Sequence, residues 1–599
     1  MDWGAVVVDS IVWTAKAFAI TALVFVAVIA ALVRFTRWGR QWWRIAASFF
    51  DPRNGAGGLA LALAAIVLLL TVFAVRMSVL FSYWYNDFYT AIQNLDESAF
   101  WRFMRIFAIL ATIHVVRALV DYLLAQTLDI RWRTHLNERL VDDWLESGSF
   151  YKDRFVSSPV DNPDQRIQVD ITSFVTTTRV LSMGVVTAVL SIVSFTGILW
   201  DLSGPITIFG TEIPRAMVFL VIVYVLVTTA VAFWIGRPLI MLNFLNEKLG
   251  ATYRYALVRV REYGESIAFY RGEGVERGGL LARFAAVIRN WWRIVFRTLK
   301  FNGFNLAVNQ TAVIFPFLVQ GPRLFAGQVT LGDVMQTSNA FGQVHDSLSF
   351  FRESYDEFAA FRATTIRLNG LLDTTHQAAE LPSVSVRAQE DRLELADLSV
   401  ETPAGDPLVT DLSLGVDAGE ALLVRGASGS GKTTLLRTIA GLWPYARGEV
   451  DRPTGDGLFL SQHPYLPLGT LRDAVTYPRA ADHDDAALRT ALETVALGHL
   501  TERLDVETDW ARTLSPGEQQ RLGFARILLS SPAIVFLDEA TAAVDEGLEH
   551  ALYRTMRETL PDAVIVSVGH RSTLDAFHDR VLELRGEGRW VVSDLQKSR

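Results

Sequence analysis

The sequence predicts an α-helical membrane bundle followed by an α/β domain. Three observations carry this. Long apolar runs are confined to the first 370 residues or so, a glycine-rich loop lies between a strand and a helix at 426–434, and an apolar strand at 533–539 ends in two acids. The 599 residues are 51% hydrophobic and 20% charged, with no Cys and a net charge of −8. The mean hydropathy is +0.26. That composition excludes a disordered chain, a disulfide scaffold and cysteine zinc sites, and gives no reason to expect nucleic acid as a partner. Length alone suggests about four units at ~150 residues each; the change of character near residue 370 reduces them to two large parts.

Apolar stretches of about 20 residues are long enough to cross a bilayer. Ile11–Val33, Leu59–Tyr83, Phe100–Leu124, Val175–Trp200 and Ala216–Ile240 qualify readily. Phe304–Val319 is weaker, and Thr330–Phe351 carries Gln336, Asn339, Gln343, His345 and Asp346. Loop charges bring this last stretch back. Residues 34–57 hold five Arg against Asp51, and residues 237–301 hold twelve Lys or Arg against five acids. Residues 84–99 and 201–214 hold acids and no base. Basic loops stay in the cytoplasm, so the two kinds of loop alternate. If the C-terminal half with its glycine-rich loop lies inside, a seventh span is required, and Thr330–Phe351 supplies it with its polar residues facing a cavity. The N-terminus, with Asp2 and Asp9 and no nearby base, then lies outside. The expected divisions are residues 1–57 (an extra span and a basic connector), 58–370 (six spans), 371–390 (a linker within the polar run Gln377–Asp391) and 391–599 (the phosphate-handling domain).

Gly426-Ala427-Ser428-Gly429-Ser430-Gly431-Lys432-Thr433-Thr434 fits G-x-x-x-x-G-K-[ST]. Ala421–Val424 before it reads as a buried strand, and Leu435–Ala440 after it as a helix. Glycines let backbone N–H groups close on phosphate oxygens at a helix N-terminus. Lys432 adds charge for the β/γ-phosphates and Thr433 a hydroxyl for Mg²⁺. Ala533–Glu539 is the apolar strand with the paired acids: Asp538 suits Mg²⁺, and Glu539 suits a general base for water.

Leu514-Ser515-Pro516-Gly517-Glu518-Gln519-Gln520-Arg521 resembles the signature segment of ABC transporter ATPases. Gln462 matches that family's lid glutamine, Ala543-Val544-Asp545 its D-loop and His570 its switch histidine. The six motifs occur in the family's order across residues 390–590. The resemblance implies an exporter-type helical fold, six spans plus one extra, followed by an α/β ABC-type ATPase domain with ATP and Mg²⁺ as cofactors. It implies that two ATPase domains pack head to tail, so that Ser515, Gly517 and Glu518 of one copy close over ATP held by Lys432 of the other, with Asp545 at the seam. It assigns Thr433, Gln462 and Asp538 to Mg²⁺, and Glu539, His570, Lys432 and Gln462 to hydrolysis. One signature segment per chain requires a dimer, most simply a homodimer with C2 symmetry.

One departure stands out. Many relatives place an aromatic upstream of the phosphate loop to stack on adenine, yet residues 387–442 hold no Phe, Tyr or Trp, and Thr402-Pro403 takes its place. Such stacking contributes ~1–3 kcal/mol per base, so weak discrimination between ATP and GTP is expected.

The membrane half narrows the resemblance. Arg131–Thr134, Asp161–Ile167, Tyr263–Glu273 and Trp84–Tyr89 resemble segments of the SbmA/BacA-like and peroxisomal-type (subfamily D) half-transporters. The segments around Asn162 and Glu265 are expected to couple the two halves. Fused bacterial members of that group imply an ATP-driven importer of small hydrophilic solutes (peptides or cobalamin-like compounds) in the bacterial inner membrane. The peroxisomal relatives imply fatty-acyl or lipid-like cargo instead. A non-transporting regulatory ATPase is the remaining alternative. Polar residues at helical spacing favour polar cargo: His114, Arg117 and Asp121 in the third run, Asn305, Asn309 and Gln310 in the sixth, and those of the seventh. Against this, Arg117 and Asp121 could simply pair with each other.

Overall fold

The computed structural model describes residues 3–595 except 54, 56, 157–161, 204–205, 209–210, 214, 383, 390–391, 455–456 and 480–482. Asp2, Asp161 and Asp391, used in the sequence reading, lie outside the described residues. The N-terminal part is helical: α1 (Val6–Phe35), α2 (Arg37–Phe50), α3 (Gly57–Gln93), α4 (Glu97–Leu145), α5 (Ile171–Leu202), α6 (Ala216–Glu262), α7 (Glu273–Phe325), α8 (Leu331–Glu353) and α9 (Tyr355–Ala379). Among the described residues, five helices are long and apolar enough to cross a membrane: α1, α3, α4, the helix through α5 and α6. α7 and α8 have the length, at 53 and 23 residues, but not the apolarity, because their Asn, Gln and charged residues interrupt the run.

Polar contacts pin the extra helix α1. Buried Arg76 of α3 donates from Nε to Ser10 Oγ at 3.1 Å and lies 5.4 Å from the Trp13 ring centroid. Trp3 Nε1 donates to Asp87 at 2.7 Å. A polar group in hydrocarbon that lacks a partner is costly, so such pairs fix helix registers.

The seventh run departs from expectation in the same way. Asn86 Nδ2 on α3 donates to Asp333 Oδ1 and Gln336 Oε1, both at 2.9 Å, and Gln336 is buried. A Cβ at Gly332 would lie 2.0 Å from the Asn86 carbonyl oxygen, so only glycine allows the two helices this close. Part of the polarity assigned to a cavity is therefore a clasp between α3 and α8. Asp346 stays exposed, and Asn339 and Gln343 are half-buried. Arg117 reaches Asp121 at 3.5 Å and also donates to the Leu70 carbonyl, so that pair holds helices together as well.

The C-terminal part builds two sheets. β1 (Ser385–Gln389), β2 (Arg392–Glu401), β3 (Pro407–Asp417) and β5 (Ala446–Pro453) form one, in the order β1-β5-β2-β3. β4 (Ala421–Gly426), β6 (Gly457–Leu460), β7 (Ile534–Asp538), β8 (Val564–Val568), β9 (Arg580–Gly586) and β10 (Arg589–Asp594) form the other, in the order β10-β9-β4-β8-β7-β6. All its pairings are parallel except β9–β10. β4, β7 and β8 are short, mostly apolar runs, buried throughout in β7 and β8 and over the first four residues of β4, as parallel strands covered on both faces require.

The chain divides into two compact units, Met1–Val141 with Asn162–Leu371 and Asp142–Asp161 with Leu372–Arg599. Two expectations change. The presumed linker at 371–390 is helical through Ala379 and then forms β1, whose Val386 pairs with Val450. Val384, Val386 and Ala388 alternate with period two, a strand signal that a search for helical periodicity passes over. Residues 142–161, placed by sequence in the membrane domain, belong to the C-terminal unit. Phe155 there stands 5.1 Å from the Trp443 ring and 5.9 Å from Tyr445, both edge-on.

Candidate active site

The site assembles where parallel strands end, the usual location for ligand contacts in open α/β sheets. β4 delivers the phosphate loop, which runs into α10 (Lys432–Ile439). Gly431 sits at φ +97°, a conformation that a side chain disfavours, and turns the chain into the helix. Lys432 is buried, and its Nζ donates to the carbonyls of Gly426 and Ala427, both at 3.0 Å. The loop thus curls around its own ammonium. Ala427, Ser428 and Gly429 are exposed, whereas Ser430 Oγ is buried with no hydrogen-bond partner.

Thr433 Oγ1 donates to Asp538 Oδ1 at 3.1 Å. Burial pushes the Asp538 carboxyl above the usual carboxylate range, and the Thr433 hydroxyl opposes that. Among the described residues no cluster of three His, Cys, Asp or Glu could cage a metal. A hydroxyl and one carboxylate beside a phosphate loop nevertheless fit Mg²⁺, a hard cation that keeps waters and substrate oxygens as ligands.

Next along the chain, Glu539 takes φ +50°, rare for a residue with a side chain, and its N–H donates to the Val568 carbonyl at the end of β8. This turn aims the Glu539 carboxylate at His570, whose Nε2 lies 3.1 Å from Oε1. The two residues are 31 apart in sequence and meet because β7 and β8 are neighbours.

The signature segment opens α11 (Pro516–Ser530). Ser515 caps it, and Glu518 completes a capping box: Ser515 Oγ donates to Glu518 Oε2 at 2.7 Å and the Ser515 N–H at 2.9 Å. The Ser515 hydroxyl and N–H hold the Glu518 carboxyl below its ordinary range. A Cβ on Gly517 would stand 2.8 Å from the Ala543 carbonyl, so the segment lies directly on the D-loop backbone. Asp545 caps α12 (Glu546–Thr559) by accepting from Leu548 N–H. Gln462 is exposed, and its carbonyl accepts from Gln520 Nε2 at 2.9 Å. Gln520 Oε1 accepts from Ala543 N–H at 2.9 Å, joining the lid and D-loop segments. The sequence reading quoted Gln520 but gave it no role.

The Thr402–Asp406 turn is closed on itself, with Thr402 Oγ1 donating to Asp406 and Trp443 Nε1 donating to the Glu401 carbonyl.

Comparison with known proteins agrees with this geometry. Residues 50–325 match the family model "ABC transporter transmembrane region 2", and residues 409–542 match "ABC transporter". A Haemophilus influenzae "Uncharacterized ABC transporter ATP-binding protein" is 48% identical over 595 residues, 99% of this chain and 100% of that one. The chain belongs to the ABC transporter family. This ABC transporter is 29% identical over 566 residues to the human "Lysosomal cobalamin transporter ABCD4", covering 85% of this chain and 89% of that one. Its fold matches "Structure of a bacterial Atm1-family ABC exporter with ATP bound" with TM-score 0.69 at 17% identity, covering 89% of this chain and 94% of that one. One transmembrane region fused to one ATPase domain is the half-transporter layout of subfamily D. The ABC transporter binds ATP and couples its hydrolysis to transport across a membrane.

Proposed function

We propose that this ABC transporter imports small hydrophilic solutes, peptides or cobalamin-like compounds, as a homodimer in a bacterial inner membrane. Its ATPase half lies in the cytoplasm and its N-terminus outside, with one extra span and six core spans. The observation that carries the energetics is the Glu539–His570 contact at 3.1 Å beside the Thr433–Asp538 pair.

In this reading the phosphate-loop N–H groups of residues 426–434 receive the β/γ-phosphates, and Lys432 leaves the Gly426 and Ala427 carbonyls for them. Thr433, Asp538 and Gln462 would hold Mg²⁺, which neutralises phosphate charge when bound. Glu539 takes the proton of the attacking water and His570 orients that water and the γ-phosphate. Ser515, Gly517 and Glu518 of a second copy close the site, with Asp545 lining the seam. The cargo reading is supported by the name of the ABCD4 relative and by the polar residues left on α8, Asn339, Gln343 and Asp346.

The test is uptake of labelled cobalamin and of a cationic peptide into right-side-out and inside-out vesicles with ATP on the cytoplasmic side. Inward movement that disappears in Glu539→Gln is expected. ATP hydrolysis with no solute movement in either vesicle orientation would instead favour a regulatory ATPase. A lipid-like cargo is the second reading, favoured by the clasp that withdraws Gln336 from any cavity. ATPase stimulation by acyl-CoA, and none by peptides or corrinoids, would establish it over the first.

A further inference from the structure

The hydrolytic residues come from segments far apart in sequence, and one buried carboxylate ties three of these segments together. Glu549, in the first turn of α12, is 1% exposed. Its Oε1 accepts from Thr541 Oγ1 at 2.6 Å and lies 3.4 Å from Arg571 NH1; its Oε2 accepts from Thr573 Oγ1 at 2.7 Å. Thr541 follows Glu539 by two residues, and Arg571 and Thr573 immediately follow His570. Arg571 continues the network, donating to the Val544 carbonyl at 2.8 Å and to Ala542 at 3.4 Å. Arg425, the residue before the phosphate loop, donates to the Arg571 carbonyl at 3.1 Å.

Both carboxylate oxygens of Glu549 are used, and no water is needed to satisfy them. A buried ion with all its partners defines geometry sharply, because any displacement leaves a charge unpaired. The turn it grips begins at Glu539, which holds an unfavourable left-handed backbone conformation. Such a conformation persists only where its surroundings enforce it, and Thr541 is the first side chain beyond it with a partner across the fold.

We propose that Glu549 is a positioning residue for ATP hydrolysis: through Thr541 on one side and Arg571 and Thr573 on the other, it fixes the Glu539 carboxylate against His570. The proposal rests on reading that pair as the hydrolytic one. Glu549 is 1% exposed and both its oxygens are held by Thr541, Arg571 and Thr573, so its removal acts on turnover and spares ground-state binding.

The experiment uses the full-length transporter in nanodiscs. kcat and KM for ATP, ADP affinity and the unfolding midpoint are measured for Glu549→Ala, Glu549→Gln, Thr573→Val and Glu539→Gln. Misplacing reacting groups by about 1 Å costs roughly a hundredfold, so kcat of Glu549→Ala falls by about that factor while KM and ADP affinity stay within about twofold. Glu549→Gln, which keeps the shape and one acceptor, recovers part of the loss, and Thr573→Val shows a smaller fall in kcat at unchanged KM. Parent-like kcat in Glu549→Ala, or equal losses of kcat and nucleotide affinity, would overturn the proposal. If Glu549→Ala fails to fold, Thr573→Val decides: unchanged kcat at an unchanged midpoint sinks the proposal. A Glu539→Gln variant at the parent rate would remove the hydrolytic reading itself; an inactive Glu539→Gln beside an active Glu549→Ala removes the positioning role alone.

Discussion

Polar residues do different work in the two units. In the C-terminal unit, Lys432, Asp538, Glu539 and His570 gather at the carboxyl ends of parallel strands, where Thr433 donates to Asp538 and Glu539 meets His570. In the membrane unit, Asn86, Asp333 and Gln336, Arg117 and Asp121, and Arg179 and Asp129 are spread along the helices, and each group holds two segments together. In water-exposed protein a polar cluster in a cleft points to chemistry. In a bilayer the same residue types are needed to lock helices, because apolar faces there have no hydrophobic reason to prefer each other over lipid.

Four measurements separate these roles. The largest effect is expected at Asp129, whose carboxylate takes a two-pronged contact from Arg179 at 2.9 Å. Asp129→Ala leaves a half-buried guanidinium (17% exposed) unpaired and costs about 3 kcal/mol, the low end for a broken buried pair, seen as a lowered unfolding midpoint in detergent. An unchanged midpoint would show that water already reaches this pair.

Next comes His578, a fully buried ring in the C-terminal unit that hydrogen-bonds through Nδ1 to the Leu574 carbonyl and through Nε2 to Ser567 Oγ. Burial lowers its pKa from 6.5 to about 4. The unfolded chain therefore binds a proton that the folded chain refuses between those values. Stability is complete above pH 6.5 and declines as the pH falls toward 4, by about 3 kcal/mol in all. Urea unfolding at pH 7 and pH 4.5 measures this, and a His578→Gln variant that keeps the full slope would assign it elsewhere.

Third, Gln336→Leu breaks one contact of the α3–α8 clasp. Hydrogen bonds inside membrane proteins average about 0.6 kcal/mol, so a small stability loss is expected. Uptake at the parent rate would mark Gln336 as structural, whereas lost uptake with intact stability would return it to the cargo path.

The smallest effect concerns the base. Without an upstream aromatic, ATP and GTP turnover should differ by no more than about threefold, since stacking of ~1–3 kcal/mol per base is the term withdrawn. A strong ATP preference would show that another residue reads adenine.

The phosphate loop, the acidic strand end and the signature segment were legible in the sequence because each is contiguous and bounded by its own strand or helix. The Glu539–His570 contact was not readable as a distance, since it depends on β7 lying beside β8. Glu549 went unnoticed for a different reason. Leu552, Tyr553 and Met556 share its helix face and are buried, so an acid at that spacing is a detectable anomaly, but the motif match ends at Asp545 and the helix beyond it carries no motif. The clasp on α8 was misread because polarity on a span reports that a residue needs a partner, not whether the partner is water or Asn86. The 142–161 segment was assigned by chain order, whereas Phe155 belongs by contact with Trp443 and Tyr445.

That last packing has a practical consequence for anyone preparing the ATPase half alone. A fragment beginning at residue 391 would lack both β1 and Phe155, stripping the cover from Trp443 and leaving the edge of β5 without its neighbour. Bare aromatic surface beside an open strand edge is a recipe for self-association. A fragment begun near residue 380 and supplied with a peptide spanning 142–156 would keep both neighbours in place, and its gain in solubility over the shorter fragment would measure what that short stretch contributes.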